Sequence, residues 1–353
     1  MGPERPMDIS GEAMNFFAKP AIILSAILCT SGALADPVAD FYRDKRINLI
    51  VSFGTGGTYG LYGRLIADYI PRHLPGNPKI VVQHMPGAGG IVATNHMFNI
   101  APKDGTTVGM LFKDIALAQV VQPDSVRYDA RKFNWIGSVN QYYAVVMTWA
   151  ASGADSLDAA RQREVIMASS GPGHHGTVLS QAMNDLLGTK FRSITGYDGA
   201  GAMHLAMERG EVQARIGSWE SIKTGQADWI RDKKIHLIAQ AGIAKAPDLQ
   251  QLPLVLDLVK DPADRSMIEL IDSGSIVGWS LTLPPEVPSE RVDAWRRAFE
   301  ALMKDREFLD AAKKINADVD PKSGKEISDV IERVLASSPQ VFDRVRKIAA
   351  SAK

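Results

Sequence analysis

Asn48-Leu49-Ile50-Val51-Ser52-Phe53-Gly54-Thr55-Gly56-Gly57-Thr58-Tyr59-Gly60 decides how this chain folds. The first half is a short apolar run. The second half is a glycine-rich turn that opens a helix, with Leu61, Leu65, Tyr69 and Leu74 near one face. Strand, glycine turn and helix in that order make the repeating unit of parallel α/β folds. Glycines let the backbone approach a ligand closely, and a helix start offers unpaired N–H groups with partial positive charge. The turn is therefore a natural anion seat, and a tight turn with no ligand is the plain alternative. A dinucleotide site does not fit. The spacing Gly54-x-Gly56-x-x-x-Gly60 departs from G-x-G-x-x-G, and the next strand ends in Gln83-His84, with no acid for a ribose hydroxyl. No Gly-Lys-Ser/Thr follows, which excludes a P-loop.

Working outward, three more turns sit in the same context: Pro86-Gly87-Ala88-Gly89-Gly90, Ser169-Ser170-Gly171-Pro172-Gly173-His174-His175-Gly176, and Tyr197-Asp198-Gly199-Ala200-Gly201. In open α/β sheets, ligands bind beyond the carboxyl ends of the strands, where all four turns fall. Two belong to each of two expected domains. Helix starts converging from two lobes suit a small anion, above all a carboxylate.

The whole chain agrees with this reading. It has 353 residues, 45% hydrophobic and 23% charged, enough for about two domains with their own cores. Forty basic residues balance forty acidic ones, which argues against a nucleic-acid binder. The only cysteine is Cys29, so neither an internal disulfide nor a Cys-based zinc site can form. It closes an apolar run from Ala21 that is too short to span a bilayer and is followed by Ala33-Leu34-Ala35. Residues 1–35 are thus expected to be a cleaved signal peptide that sends a soluble protein to the periplasm. Lipidation at Cys29 is disfavoured by bulky Ile27 and Leu28.

Beyond the first turn, strands are expected at Ile80–Gln83, Val108–Phe112, Val145–Trp149, Val165–Ala168, Phe191–Ile194, Val212–Ile216 and Ile235–Ala239, with helices between them. The C-terminal part turns helical, starting with Ser289 as N-cap and continuing after Glu326 and Pro339. No repeat or low-complexity linker appears. The expected architecture is a two-lobed Venus flytrap of two doubly wound α/β domains joined by strand crossings. Domain 1 is expected to hold residues 36–135 and 245–353, and domain 2 residues 136–244.

These residues resemble the Bug-type periplasmic receptors of tripartite tricarboxylate transporters, from about Phe41 to the C-terminus. The resemblance is carried by Asn48–Arg64, the Pro86–Gly90 turn, Ala101-Pro102-Lys103-Asp104-Gly105-Thr106 and Tyr197–Gly201, in that order. It implies a flytrap that holds one small, usually carboxylated, solute and delivers it to membrane permease subunits, working as a monomer without cofactor or metal. It also implies that one ligand carboxylate is held by Gly54, Thr55, Gly56, Gly57, Thr58 and Tyr59 together with Tyr197, Asp198, Gly199 and Ala200. The sequence departs from the pattern at Gly60, where the family has an aspartate, and at Gly54-Thr55, where it has two prolines. Gly-Thr-Gly-Gly-Thr-Tyr is also similar to the loop of the receptors that serve TRAP transporters, and a receptor feeding a signalling kinase would look the same.

Other side chains carry two readings each. Arg215 lies in an expected strand where the family has an apolar residue. It either clamps a ligand carboxylate or pairs with an acid such as Glu220 or Asp198. His174 and His175 are candidate ligand donors at a helix start, with loop packing as the alternative. Ala88 and Ser170 belong to the cleft through their turns. Tyr59 and Trp219 are candidate walls for an apolar ligand body, and Lys113 is either a cleft charge or a solvated lysine. Catalysis has little to stand on, with no G-x-S-x-G elbow and no HExxH. A small-molecule hydrolase using His174 or His175 is the rival from another class.

Overall fold

The structure is a computed structural model and describes residues 36–350. The expected signal peptide lies outside the described residues. Eleven strands form two sheets: β1 (Arg46–Val51), β2 (Lys79–His84), β3 (Thr107–Met110), β4 (Asn134–Ser138), β5 (Ala144–Trp149), β6 (Val165–Ala168), β7 (Phe191–Ile194), β8 (Ala214–Ser218), β9 (Ile235–Ala241), β10 (Ser280–Leu283) and β11 (Lys322–Ser323). The first sheet runs β11-β4-β10-β3-β1-β2 and the second β7-β6-β8-β5-β9. Helices cover both sheets, giving the two-lobed α/β architecture expected.

The sheets are mixed rather than parallel throughout. β1 pairs in parallel with β2 and β3, and β6 with β7 and β8. By contrast, β5 is antiparallel to β8 and β9, and β10 is antiparallel to β3 and β4. β5 and β10 each follow a crossing, and β11, the edge strand antiparallel to β4, runs the same way as β10. β5 is the first strand after the chain leaves the first sheet, and β10 is the strand on which it returns. A strand arriving from the other lobe enters its new sheet from the opposite end and so runs against its neighbours.

Local chemistry explains most boundaries. The helix Thr58–Tyr69 starts from Gly57, which is extended and leaves the first N–H groups without a side-chain cap. The helix Ala200–Glu208 starts from Gly199 in the same uncapped way. His175–Leu187 is capped by His174, whose Nδ1 accepts from the Gly176 N–H at 3.2 Å. In the C-terminal part the helix begins at Ser289 with Pro288 as N-cap, one residue earlier than expected. Besides several shorter helices, two of nine or more residues were not among those expected: Pro262–Asp272, capped by Asp261 with Pro at its first turn, and Arg306–Lys314, capped by Asp305.

The main core is continuous beneath the first sheet and part of the second, with Trp135, Trp279, Trp295 and Tyr62 almost wholly buried. A second cluster around Met147, Met203, Met207 and Trp229 fills the other face of the second sheet. Ties cross between lobes away from the glycine turns. Lys223 pairs with Asp318, and Gln141 Nε2 donates to Asp320 at 2.8 Å.

Candidate functional site

The four glycine turns meet in two pairs, each with one member from either lobe. At the first contact Gly201 lies against the Gly56 backbone, and the Gly54 N–H donates to the Asp198 carbonyl at 3.3 Å. At the second, a Cβ on Gly171 would stand 3.5 Å from the Gly89 nitrogen. Gly90, with φ at +106°, closes the second turn where a side chain would strike the Phe112 ring at 2.6 Å.

A cavity of about 180 Å³ lies inside the first contact. Gly54, Gly56, Gly57, Thr58 and Tyr59 line it from one lobe, and Ser170, His174, Asp198, Gly199, Ala200 and Arg215 from the other. The opening turns of the helices Thr58–Tyr69 and Ala200–Glu208 therefore both reach it. A second chamber of about 250 Å³ shares Phe53, Ser170 and Asp198 with the first. Ala88 and Tyr197 line this chamber and not the first.

Three expected residues line neither chamber. The Thr55 carbonyl lies where a Cβ on Gly60 would stand, 2.6 Å away, so an aspartate at position 60 has no room in this loop. His175 is buried, its Nε2 on Asp272 at 2.5 Å and its backbone N–H on Asp114 at 3.3 Å. Trp219 is buried too, with Nε1 donating to Asp248 at 2.8 Å, so its apolar face packs in the second lobe and forms no cleft wall.

Tyr59 is a wall as expected, and Phe53 and Phe112 join it, while Trp279 and Tyr142 come from stretches to which no element was assigned. Trp279 precedes β10 and stacks near Tyr62, Tyr142 and Tyr59, with centroids 5.0, 5.4 and 6.3 Å away. Phe53 lies 4.8 Å from the Tyr59 ring and meets His174 edge-on. Tyr59 is fixed at its hydroxyl, which accepts from the Lys113 N–H at 2.9 Å and donates to the Gly278 carbonyl. Phe112, Tyr142 and Met203 complete the apolar lining.

The charges are unequal in their compensation. Lys113 is not solvated: it is 4% exposed, paired with Asp114, and sits 4.5 Å over the Tyr142 ring. Burial pushes the Asp114 carboxyl up, but Lys113, His175 and His174 more than offset this and hold it below the usual range. Arg215 is 3% exposed and, among the described residues, pairs with no acid; neither Glu220 nor Asp198 reaches it. Its Nη1 donates to His204 Nε2 at 2.7 Å, and its Nε has no partner. Burial lowers its pKa, as expected of a cation without a counter-ion. Thr58 Oγ1, Ser170 Oγ and Trp279 Nε1, from three other lining residues, are likewise buried without a hydrogen bond. Among the described residues no group of three or more His, Cys, Asp or Glu could hold a metal ion.

Burial drives His174 down to about 3 and His204 to about 2, and it raises the Glu220 carboxyl to about 7. Both histidines protonate near 6.5 when unfolded, so the unfolded chain binds more protons below that pH and stability is lost as the solution is acidified. Glu220 acts the other way between its ordinary 4.5 and about 7. Its folded form keeps the proton, and folding gains as pH falls through that window. One histidine's worth of slope remains, about 1.4 kcal/mol lost per pH unit from pH 6 toward 4.5. Urea midpoints at several pH values should show it, and His204→Gln should flatten it. An unchanged slope in that variant would refute the assignment.

The sequence pattern of the tripartite tricarboxylate transporter family receptor matches residues 63–325. Protein BugT of Bordetella pertussis is 26% identical over 247 residues, spanning 67% of this chain and 72% of that protein. Rpa4515 of R. palustris, solved with adipate, superposes with a TM-score of 0.68 at 19% identity, covering 87% of this chain and 97% of its own. MatC (Rpa3494) from Rhodopseudomonas palustris, solved with malate, gives 0.66 at 15% identity over 86% and 99%. These two structures share the fold, and the match over the larger part of the sequence places the chain in the tripartite tricarboxylate transporter receptor family.

Proposed function

We propose that this protein is a periplasmic receptor that captures a small organic carboxylate between its lobes and hands it to a membrane permease. The lobes are taken as residues 36–135 with 245–353, and 136–244. The observation that carries the reading is the convergence, on one cavity, of a helix start from each lobe and the uncompensated Arg215 guanidinium. Each helix start contributes about half a positive charge. A solute touching both lobes favours the closed form by its differential affinity, and the permease would read that closed surface. The related structures holding adipate and malate support a carboxylate as the guest.

The hydrolase reading loses its residues. His174 spends its Nδ1 on a helix cap, and its low pKa makes it a weak base at neutral pH. His175 is held by Asp272. Purified protein should therefore bind an organic acid without turning it over. Trp279 sits in the cavity wall, so saturable changes in tryptophan fluorescence and a rise in melting temperature should accompany binding. If no member of a panel of aliphatic, aromatic and amino acids produces either signal, the receptor reading fails.

A further inference from the structure

We infer that the guest is a carboxylate with a single negative charge and a flat, aromatic-sized apolar body, and that Arg215 is the side chain that selects it. The inference rests on the receptor reading and adds what charge and shape say about the ligand.

Charge comes first. Four side chains with full charges line the cavity: Lys113, Asp114, Asp198 and Arg215. Lys113 and Asp114 are both buried and neutralise each other. Asp198 is exposed, so solvent screens it. His174 stays neutral, as does His204 behind Arg215. The buried wall therefore presents one unpaired cation, on a residue 3% exposed whose Nε bonds to nothing. An unpaired buried charge is strongly destabilising unless a partner arrives, and one carboxylate is the matching partner. A second carboxylate would find neutral donors only, the backbone N–H groups, the Thr58 and Ser170 hydroxyls and the Trp279 Nε1–H, with no second cation and with the like charge of Asp198 at the rim.

The guanidinium's position is built rather than incidental. His204, neutral and stacked edge-on at 5.0 Å against Trp229, accepts from Nη1. Gly217 leaves room for the folded-back side chain, because a Cβ there would overlap the guanidinium. Shape follows from the other walls. Phe53, Tyr59, Phe112, Tyr142 and Trp279 surround about 180 Å³, and a void of about 150 Å³ is known to admit benzene. Aromatic walls favour a ring by offset or edge-to-face contact. A short hydrophilic polyacid would instead lose its hydration against them.

The test is calorimetric titration of the purified protein with benzoate, benzamide, malate and adipate. Benzoate should bind at least tenfold more tightly than either dicarboxylate and at least 50-fold more tightly than benzamide. In Arg215→Met the benzoate affinity should fall at least 100-fold and its preference over benzamide should vanish. The melting temperature without ligand should stay level or rise, since a lone buried charge has gone. A merely structural arginine would lower that temperature and leave the benzoate–benzamide ratio intact, which would overturn the inference. Should Arg215→Met not fold, Arg215→Lys keeps the charge with a different reach and should retain part of the preference; an undiminished affinity in it would also count against the guanidinium. Binding of malate or adipate but not benzoate overturns this inference while leaving the receptor reading intact. Binding of none of the acids removes both.

Discussion

Gly201→Ala should weaken ligand binding by about 100-fold, roughly 2.7 kcal/mol, while leaving the unliganded protein at least as stable as before. A Cβ at this position would lie 2.6 Å from the Gly56 carbonyl oxygen and 3.2 Å from its Cα. Both are main-chain atoms of the opposite lobe, so no rotamer change can relieve the overlap. Within its own lobe the position is undemanding. Gly201 belongs to the helix Ala200–Glu208, where alanine is favoured over glycine by roughly 0.5–1 kcal/mol. The extra methyl therefore penalises the arrangement in which the lobes touch, and a ligand needing both lobes sees a smaller competent fraction. Titration with whichever acid binds the natural protein, beside a melting curve, checks this. Normal affinity in Gly201→Ala would mean that the glycine contact has no part in binding.

Trp279→Ala should cost about 3–5 kcal/mol of stability and abolish binding together. Trp279 is fully buried at the point where Tyr59, Tyr62 and Tyr142 meet, so its removal leaves a void bounded by three rings. Those rings bear on the first glycine turn through Tyr59, which follows it directly, and on Lys113 through the Tyr59 hydroxyl. Denaturant midpoints should fall accordingly. Trp279→Phe should recover most of the stability but a smaller part of the affinity. Loss of stability without loss of binding would show that the wall is support only.

These two residues mark how far the sequence could be read. Gly201 belongs to a turn recognisable by composition, and so do Gly54–Tyr59, Pro86–Gly90 and Ser169–Gly173. Their strand–turn–helix context sufficed to place them at the strand ends, and eleven of the sixteen expected site residues line the first cavity. Trp279 carried no such mark. It reaches the cavity because β10 re-enters the first sheet antiparallel after the chain has crossed back, a pairing fixed by contacts distant in sequence. Tyr142 sits just past the outgoing crossing and was unreadable for the same reason. Phe112 and Asp114 follow β3, and only their burial shows that they face inward. Trp219 failed in the other direction, since an amphipathic ring beside a strand end suits a cleft wall and a lobe core equally well. The helices Pro262–Asp272 and Arg306–Lys314 were legible in principle, since each starts at an aspartate cap and carries apolar residues at helical spacing.

The seams between the lobes at the turns are made of glycine on glycine. Such a seam has no interlocking teeth. Backbone touching backbone gains little dispersion energy and excludes little apolar area, so at the turns the lobes are held by little more than the Gly54 N–H bond to Asp198 and the Phe53–His174 edge contact, while their firmer ties, Lys223–Asp318 and Gln141–Asp320, lie elsewhere. On the proposed receptor reading, a guest touching both lobes would supply, at these turns, the grip that glycine on glycine lacks.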